Sequence, residues 1–154
     1  MRVAVIGACN FDIFSRIYSD ASYKDSNPGK IKMGFGGVGR NVAHNLSLLG
    51  HTVSMFTALS NDLFGRLLMN SCSQLRIDIS NAIFTDDYSQ SMYLCVNDKN
   101  GDMLIGSSDM EIMNLITIDY LKENLNRINY CDVVVFDTNL SEELMEFVIT
   151  NVTK

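Results

Sequence analysis

A glycine-rich turn that leads into an amphipathic helix constrains this chain more than any other feature. Residues 36–43 read Gly-Gly-Val-Gly-Arg-Asn-Val-Ala, and Gly50 follows the helical pattern. Glycines remove the Cβ atoms that would hold a ligand away from the backbone. A helix N-terminus has unpaired N–H donors and a partial positive charge. We therefore expect a small polyhydroxylated or phosphorylated molecule to bind where this helix begins.

Length and composition are those of one globular domain. The chain has 154 residues, 47% of them hydrophobic and 19% charged, which is enough to bury a sizeable core. Its net charge of −6 gives nonspecific nucleic-acid binding little electrostatic support. The sequence contains no apolar run of about 18 residues, so no membrane span is predicted. The first residues are typical of a core strand rather than a signal peptide. Four scattered cysteines without metal or redox spacing indicate reduced thiols, so we expect a cytoplasmic location.

Short apolar runs alternate with helical patterns along most of the chain. Strands are predicted at 3–8, 52–59 and 133–136, and helices at 41–49, after the Ser-Asn-Asp cap at 60–62, from Thr117 and from Ser141. This order favours an α/β fold with a parallel sheet and right-handed crossovers.

Two segments interrupt this alternation with β patterns. Residues 11–35 are predicted to form two strands with Pro-Gly at 28–29 in their connection, and residues 91–96 and 103–105 flank a turn at 97–101. We expect the two excursions to pair into one small sheet that covers the α/β body as a lid. The predicted lid segments are about 12–35 and 83–107.

Polar side chains stand where the ligand side of such a sheet is expected. Asn10 and Asp12 follow the first strand, and ligands of α/β sheets bind beyond the carboxyl ends of the strands. The carboxylate of Asp12 can accept hydrogen bonds from two hydroxyls of a sugar, although a turn-forming or capping aspartate is an equal alternative. The amide of Asn41 can donate to one hydroxyl and accept from another; the alternative is an exposed, inert position. Asp137, at the end of a buried strand, is a further but unspecific candidate.

A dinucleotide site is an alternative interpretation of the glycine-rich segment. Residues 34–39 match G-x-G-x-x-G, but that fingerprint belongs at the end of the first core strand, and here it follows the first β excursion. Residues 7–10 occupy the expected position and lack the fingerprint. The fingerprint also needs an acidic residue at the end of the next strand, and Asp62 lies beyond that end. A purely structural glycine turn is the other alternative.

These residues resemble the ribokinase / phosphofructokinase-B (PfkB) carbohydrate kinase family over essentially the whole chain. The similarity to its first signature is carried by Asn10-x-Asp12 and by Gly36-Gly37-x-Gly39-x-Asn41-x-Ala43 with the later Gly50. Residues 60–65 resemble the segment that follows it, except that Ser60 stands where most members have glycine. Short strings at 37–41, 101–103, 108–110 and 137–143 look like the pseudouridine kinase branch.

The resemblance implies a ribokinase-like fold, in which a Rossmann-type parallel sheet is flanked by helices and carries a small β-sheet lid. It implies ATP-dependent phosphorylation of a hydroxymethyl group on a sugar or nucleoside, with pseudouridine as the leading substrate and ATP with Mg²⁺ as cofactors. A homodimer formed through the lid is also implied. Carried over by position, the substrate-binding residues are Asn10, Asp12, Gly36, Gly37 and Asn41, with Tyr93 and Asp109 over the substrate.

The family's second signature, a Gly-Ala-Gly-Asp run, is not found up to Lys154. The resemblance makes its aspartate the general base, and its glycines stabilise the phosphoryl charge. No catalytic residue is therefore assigned within these residues, and we expect a substrate-binding, N-terminal half that transfers phosphate poorly alone. Alternatives are another sugar or sugar-phosphate kinase of the family, a noncatalytic sugar- or nucleoside-binding protein, and an NAD(P)-binding fragment.

Overall fold

The computed structural model describes residues 1–153, in which nine strands and four α-helices form the regular elements. The strands are β1 (Arg2–Ile6), β2 (Asn10–Ile17), β3 (Gly29–Gly36), β4 (Thr52–Phe56), β5 (Ala58–Ser60), β6 (Ile83–Thr85), β7 (Met92–Asn97), β8 (Met103–Asp109) and β9 (Val133–Phe136). The helices are α1 (Val38–Leu48), α2 (Leu63–Gln74), α3 (Ile118–Tyr130) and α4 (Glu142–Asn151), and a 3₁₀ helix (Glu111–Leu115) precedes α3.

A parallel sheet in the order β4-β1-β9 forms the centre of the body. Its middle strand is buried from Val3 to Ile6, as expected for a parallel strand with helices on both faces. One apolar cluster joins this sheet to α1 and α2 through Ala43 and Leu68, and a second joins it to α3 and α4. The predicted α/β class is confirmed.

The two β excursions pair with each other into a mixed sheet in the order β3-β2-β7-β8, here called the small sheet. Strands β2 and β7 come from different excursions and lie parallel, while each is antiparallel to its own hairpin partner. Pro28 precedes β3 in the predicted connection, and Tyr18 N–H donates to its carbonyl. The pairing therefore joins segments that are about 80 residues apart in sequence.

Alternation of side chains gives the small sheet two faces. The face here called the Asp12 face carries Asn10, Asp12, Phe14, Tyr93 and Ser108. The opposite face, here called the Phe11 face, carries Phe11, Met33, Leu94, Ile105 and Asp109. Phe11 packs against Phe64 of α2 with ring centroids 4.7 Å apart, which anchors the inner end of the small sheet to the body.

Three element boundaries differ from the sequence prediction. Helix α1 begins at Val38 rather than at residue 41, because Gly37 adopts a positive φ of 88° and ends the preceding strand. The strand predicted at 52–59 is interrupted at Thr57, and its second part, β5, pairs with β6. Residues 83–85 therefore belong to a separate two-stranded sheet, and the second segment of the small sheet begins at Met92.

Side-chain caps fix the starts of the later helices, as the sequence predicts for two of them. Asp62 accepts from Gly65 N–H at 2.8 Å, and Ser141 accepts from Leu144 N–H at 3.3 Å. Thr117 caps α3 in the same way. Within residues 1–153, no helix has both the length and the apolar character required to cross a bilayer.

Candidate functional site

Glycines bring the backbone and the Asp12 side chain together where the small sheet meets α1. Asn10 and Gly36 are register partners at the inner end of β2 and β3. A Cβ atom on Gly36 would overlap the carboxylate of Asp12, and one on Gly37 would overlap the carbonyl oxygen of Ala8. The paired glycines are therefore required by close packing as well as by the turn, and they leave the Asp12 carboxylate lying directly on the backbone.

Asp12 carries a buried carboxylate oxygen without a protein partner. Within the part of the chain that the structure describes, its Oδ1 atom accepts no hydrogen bond. Burial raises the pKa of Asp12, and the positive charge of Arg40 partly opposes that shift. Because buried polar atoms are nearly always hydrogen-bonded, an unpartnered one needs an explanation. A ligand with hydroxyl donors would supply the missing bonds.

Two amide side chains lie at the same junction of the small sheet and α1. Asn10 lies on the same face as Asp12, is 9% exposed, and has its Oδ1 atom 3.0 Å from the hydroxyl of Ser91. Asn41 lies one turn into α1, where its N–H donates to the carbonyl of Gly37 at 2.9 Å. Its exposed side chain accepts from Arg40 Nη1 at 3.4 Å, so its Nδ2 donor points away from that bond. The predicted set Asn10, Asp12, Gly36, Gly37 and Asn41 is thus brought to one corner.

The two predicted site residues on the second hairpin lie on opposite faces of the small sheet. Tyr93 is the register partner of Asp12 on the neighbouring strand and shares its face. Asp109 pairs with Met92 and shares the Phe11 face, where it is exposed and accepts from Glu111 N–H at 3.2 Å. Asp109 and Tyr93 therefore lie on opposite faces of the small sheet, because a register shift between Val96 and Asn97 reverses the alternation. That both residues lie over the substrate stays a prediction. Ser108 occupies the Tyr93 face instead.

The N–H donors of the first turn of α1 are largely occupied by protein acceptors. Gly39 N–H donates to Asp137 Oδ2 at 2.7 Å, and Arg40 N–H donates to the carbonyl of Ala8 at 3.0 Å. Asp137 also accepts from Ala8 N–H at 2.9 Å and is 5% exposed. The expectation that these donors are free for a ligand is therefore wrong at two positions. Asp137 is a structural cap, and Gly7 leaves room for it.

Arg40 is buried between α1 and α2 rather than extended toward a ligand. Its Nη2 atom donates to Ser71 Oγ at 2.9 Å, and its guanidinium lies 5.5 Å from the ring centroid of Phe35. It is 6% exposed, and its Nε atom has no partner among the described residues. A buried charge of this kind acts through its field, and here it favours the ionised form of Asp12.

An aromatic surface continues outward from Asp12 on the same face. The rings of Phe14 and Tyr93 meet edge to face with centroids 6.3 Å apart. Tyr93 lies across Gly106, where a Cβ atom would be 2.8 Å from the Tyr93 hydroxyl. That hydroxyl donates to Met103 Sδ at 3.3 Å. The Tyr93 ring is therefore held against the sheet, and the surface suits a flat, partly apolar group beside Asp12.

No metal-binding cluster is found at this corner among the described residues. In residues 1–153, no group of three or more His, Cys, Asp or Glu side chains could hold a metal ion. Two surface cavities of about 670 and 680 Å³ lie beside the first turns of α3 and α4 and between β4 and α3. Neither of these two cavities is lined by Asp12 or Asn41. The glycines at 34 and 36 belong to a hairpin strand, which does not provide a dinucleotide turn.

The whole chain matches the pfkB family of carbohydrate kinases, over residues 1–154. The protein therefore belongs to that family, and the resemblance of its signature is confirmed. The alternative of an NAD(P)-binding fragment is not supported by this match.

Two curated kinases and one solved structure are similar to this chain over nearly its whole length. The chain is 37% identical to the pseudouridine kinase of Escherichia coli K12 over 149 residues, which cover 97% of this chain and 48% of that enzyme. It is 28% identical to the guanosine-inosine kinase of Exiguobacterium acetylicum, with 96% and 49% coverage. A solved carbohydrate kinase from Agrobacterium tumefaciens superposes with a TM-score of 0.83 at 25% identity, covering 97% of this chain and 50% of that one. The ribokinase-like fold is thereby confirmed, and the chain spans about half the length of these relatives.

Proposed function

We propose that this chain is the substrate-binding half of an ATP-dependent kinase that phosphorylates the hydroxymethyl group of a ribosyl nucleoside, with pseudouridine as the leading substrate. The observation that carries the proposal is the buried, unpartnered Oδ1 of Asp12 beside Gly36. A carboxylate accepts from two neighbouring hydroxyls, and the amides of Asn10 and Asn41 can complete the bonds to a sugar. Together these groups would bind and orient the ribosyl moiety.

The aromatic surface favours a nucleoside over a bare sugar. Phe14 and Tyr93 extend from Asp12 on one face of the small sheet, so an aglycone attached to a ribose at Asp12 would lie against their rings. The relatives named pseudouridine kinase and guanosine-inosine kinase both act on nucleosides. In this proposal the small sheet is the lid of the site, and Tyr93 contacts the base.

A sugar phosphate is the second candidate because of a group of cations on the same face. Arg16, Lys30 and Lys32 line a cavity of about 300 Å³ together with Phe14. Arg16 and Lys30 are directly opposite each other in register, and an anion between like charges would relieve their repulsion. Arg40, in contrast, is occupied by Ser71.

ATP with Mg²⁺ would supply the transferred phosphoryl group. The described residues contain no metal-binding cluster, and Asp137 and Ala8 occupy N–H donors of α1 that could otherwise hold a phosphate. In this proposal the nucleotide, the metal and the general base are held by residues other than these, as the family resemblance implies. Residues 1–154 alone are expected to bind substrate and to release no ADP above background, because phosphoryl transfer depends on positioning and charge stabilisation.

The experiment that tests this function is ADP release by the complete protein that contains these residues. Pseudouridine, uridine, ribose and fructose 6-phosphate are offered separately, with residues 1–154 as the control. Turnover with pseudouridine at the highest kcat/KM supports the proposal. Preference for fructose 6-phosphate would support the second candidate, and no turnover with any of the four would favour a noncatalytic binding protein.

Gly36→Ala is expected to lower the affinity for the nucleoside at least tenfold. The added methyl group overlaps the Asp12 carboxylate and would displace it, and two charge-assisted hydrogen bonds depend on its position. Gly34→Ala, two residues earlier in the same strand, meets no atom within 4 Å and is the matched control. Isothermal titration calorimetry compares the two, and equal affinities would contradict the role of Gly36.

We also propose that two copies associate through the Phe11 face. Ile31, Met33 and Ile105 are 65%, 67% and 63% exposed on this face, and a second copy would bury them. Met33→Ser with Ile105→Ser is expected to convert a dimer to a monomer in size-exclusion chromatography with light scattering. Leu48→Ser with Leu63→Ser, which alters equally exposed residues on the helices, is the control. A monomeric wild-type protein would refute the proposal.

A further inference from the structure

A buried chain of polar side chains links the first turn of α2 to the proposed sugar site. Gln90 and Ser91, just before β7, are both fully buried. Gln90 N–H donates to Asp62 Oδ2 at 2.9 Å, beside the cap of α2. Ser91 reaches Asn10 at the other end. Since burying polar side chains is unfavourable unless each is hydrogen-bonded, such a network requires a structural or functional reason.

Backbone groups fix the orientation of the Gln90 amide. Its Oε1 atom accepts from Ser60 N–H at 3.0 Å, and its Nε2 atom donates to the carbonyl of Cys9 at 2.7 Å. A backbone N–H can only donate and a backbone carbonyl can only accept, so the opposite orientation of the amide would lose both bonds. The second hydrogen of Nε2 then points to Ser91 Oγ at 3.1 Å.

The orientation of the Gln90 amide makes the Ser91 hydroxyl an acceptor on one side and leaves it one hydrogen to donate. Ser91 Oγ accepts from Gln90 and has one hydrogen left, with the Cys9 carbonyl at 2.9 Å and Asn10 Oδ1 at 3.0 Å as acceptors. The Cys9 carbonyl already receives the shorter bond from Gln90. A carbonyl oxygen has two lone pairs, so that bond does not by itself direct the Ser91 proton. When Ser91 donates to Asn10 Oδ1, it fixes the carbonyl side of the Asn10 amide against the protein and leaves Nδ2 as a donor.

We propose that Ser91 is a positioning residue that orients the Asn10 amide, so that Nδ2 donates to an oxygen of the bound sugar next to the Asp12 carboxylate. This inference rests on the proposed function for its ligand, and on the hydrogen-bond chain for the orientation itself. A donor on Asn10 and an acceptor on Asp12, two residues apart on one face, match a hydroxyl pair in which one oxygen accepts while the other donates.

A double-mutant cycle in the complete protein tests this role. Ser91→Ala is expected to raise KM for the nucleoside about tenfold with little change in kcat, because one oriented hydrogen bond is lost. In an Asn10→Ala background, Ser91→Ala should have no further effect on KM, since its only route to the substrate is gone. An equal effect of Ser91→Ala in both backgrounds would indicate a merely structural role and overturn the proposal.

Two further measurements test the same role if Ser91→Ala does not fold or if no substrate is turned over. Asn10→Asp keeps the acceptor for Ser91 but removes the donor, so KM must rise; an unchanged KM contradicts the proposal. The side-chain amide of Asn10 in ¹⁵N-labelled protein, with no substrate added, should rotate slowly and should rotate faster in Ser91→Cys, whose thiol is a weak donor of similar size. Unchanged rotation would overturn the orientation by Ser91 whatever the enzyme phosphorylates.

Discussion

Asp12→Asn is expected to lower kcat/KM for the nucleoside about 100-fold, or about 3 kcal/mol. The change keeps the shape of the side chain but removes its charge and replaces one acceptor oxygen with a donor. The carboxylate lies against Gly36 and its Oδ1 atom has no protein partner among the described residues. The sugar hydroxyls are therefore its expected donors, and the variant loses one of the two acceptors. Steady-state ADP release with pseudouridine measures the effect.

The thermal stability of Asp12→Asn shows whether a loss of activity comes from weaker substrate binding or from a less stable fold. Burial raises the pKa of Asp12 in the folded chain, so the folded state binds this proton more tightly than the unfolded state. The ionised group therefore lowers the free energy of unfolding as the pH rises through that pKa. We expect Asp12→Asn to melt no lower than wild type at neutral pH. Asp20→Asn, an exposed carboxylate on the small sheet's outer loop, is the control and should leave kcat/KM unchanged.

The same raised pKa predicts the acid limb of the activity profile. Sugar binding requires the ionised carboxylate, so KM for the wild type should begin to rise at a higher pH than an ordinary aspartate would give, as the pH falls. That limb should disappear in Asp12→Asn. A limb that persists unchanged in the variant would assign it to another group.

Asp137→Asn is expected to lower the melting temperature by about 10 °C, which corresponds to about 3–5 kcal/mol. The carboxylate accepts from three N–H groups, those of Ala8, Gly39 and Asn139, at 2.9, 2.7 and 2.9 Å. It thereby joins the ends of β1 and β9 to the first turn of α1. An amide nitrogen in place of one oxygen would face a buried N–H donor, and leaving such donors unsatisfied is costly.

Asp132→Asn is the matched control for this stability prediction. Asp132 also accepts a backbone N–H and a side chain, both from Arg2, at 2.8 and 2.7 Å, but the pair is exposed. Exposed ion pairs contribute little to stability because water screens them. Thermal melts of the two variants should therefore differ clearly. Equal shifts in melting temperature would contradict the view that burial makes Asp137 a structural cap.

Local patterns in the sequence were sufficient to predict the strands and helices of the body and part of the candidate site. Continuous apolar runs predict β1 and β9 because parallel strands are buried on both faces, and the Asp62 and Ser141 caps mark their helices. The signature glycines predict the corner because close packing at Gly36 and Gly37 admits no side chain. Asn10, Asp12 and Asn41 follow from the same short motif.

Long-range contacts account for what the sequence could not predict. Asp137 meets Gly39 across 98 residues and Ser91 meets Asn10 across 81, and no local periodicity encodes such partners. The same holds for the burial of Arg40 against Ser71. The bulge between Val96 and Asn97 inserts one residue into the hairpin and puts Asp109 on the face opposite Tyr93. A single inserted residue reverses every side chain beyond it.

A crystal structure of the complete protein with pseudouridine bound would show directly whether Asp12 holds the sugar. We expect ribose hydroxyls about 2.5–3.0 Å from the carboxylate oxygens of Asp12, with Asn10 Nδ2 on a neighbouring ribose oxygen and the base against Tyr93. A ribose bound elsewhere, with Asp12 Oδ1 still unpartnered, would contradict this role of Asp12.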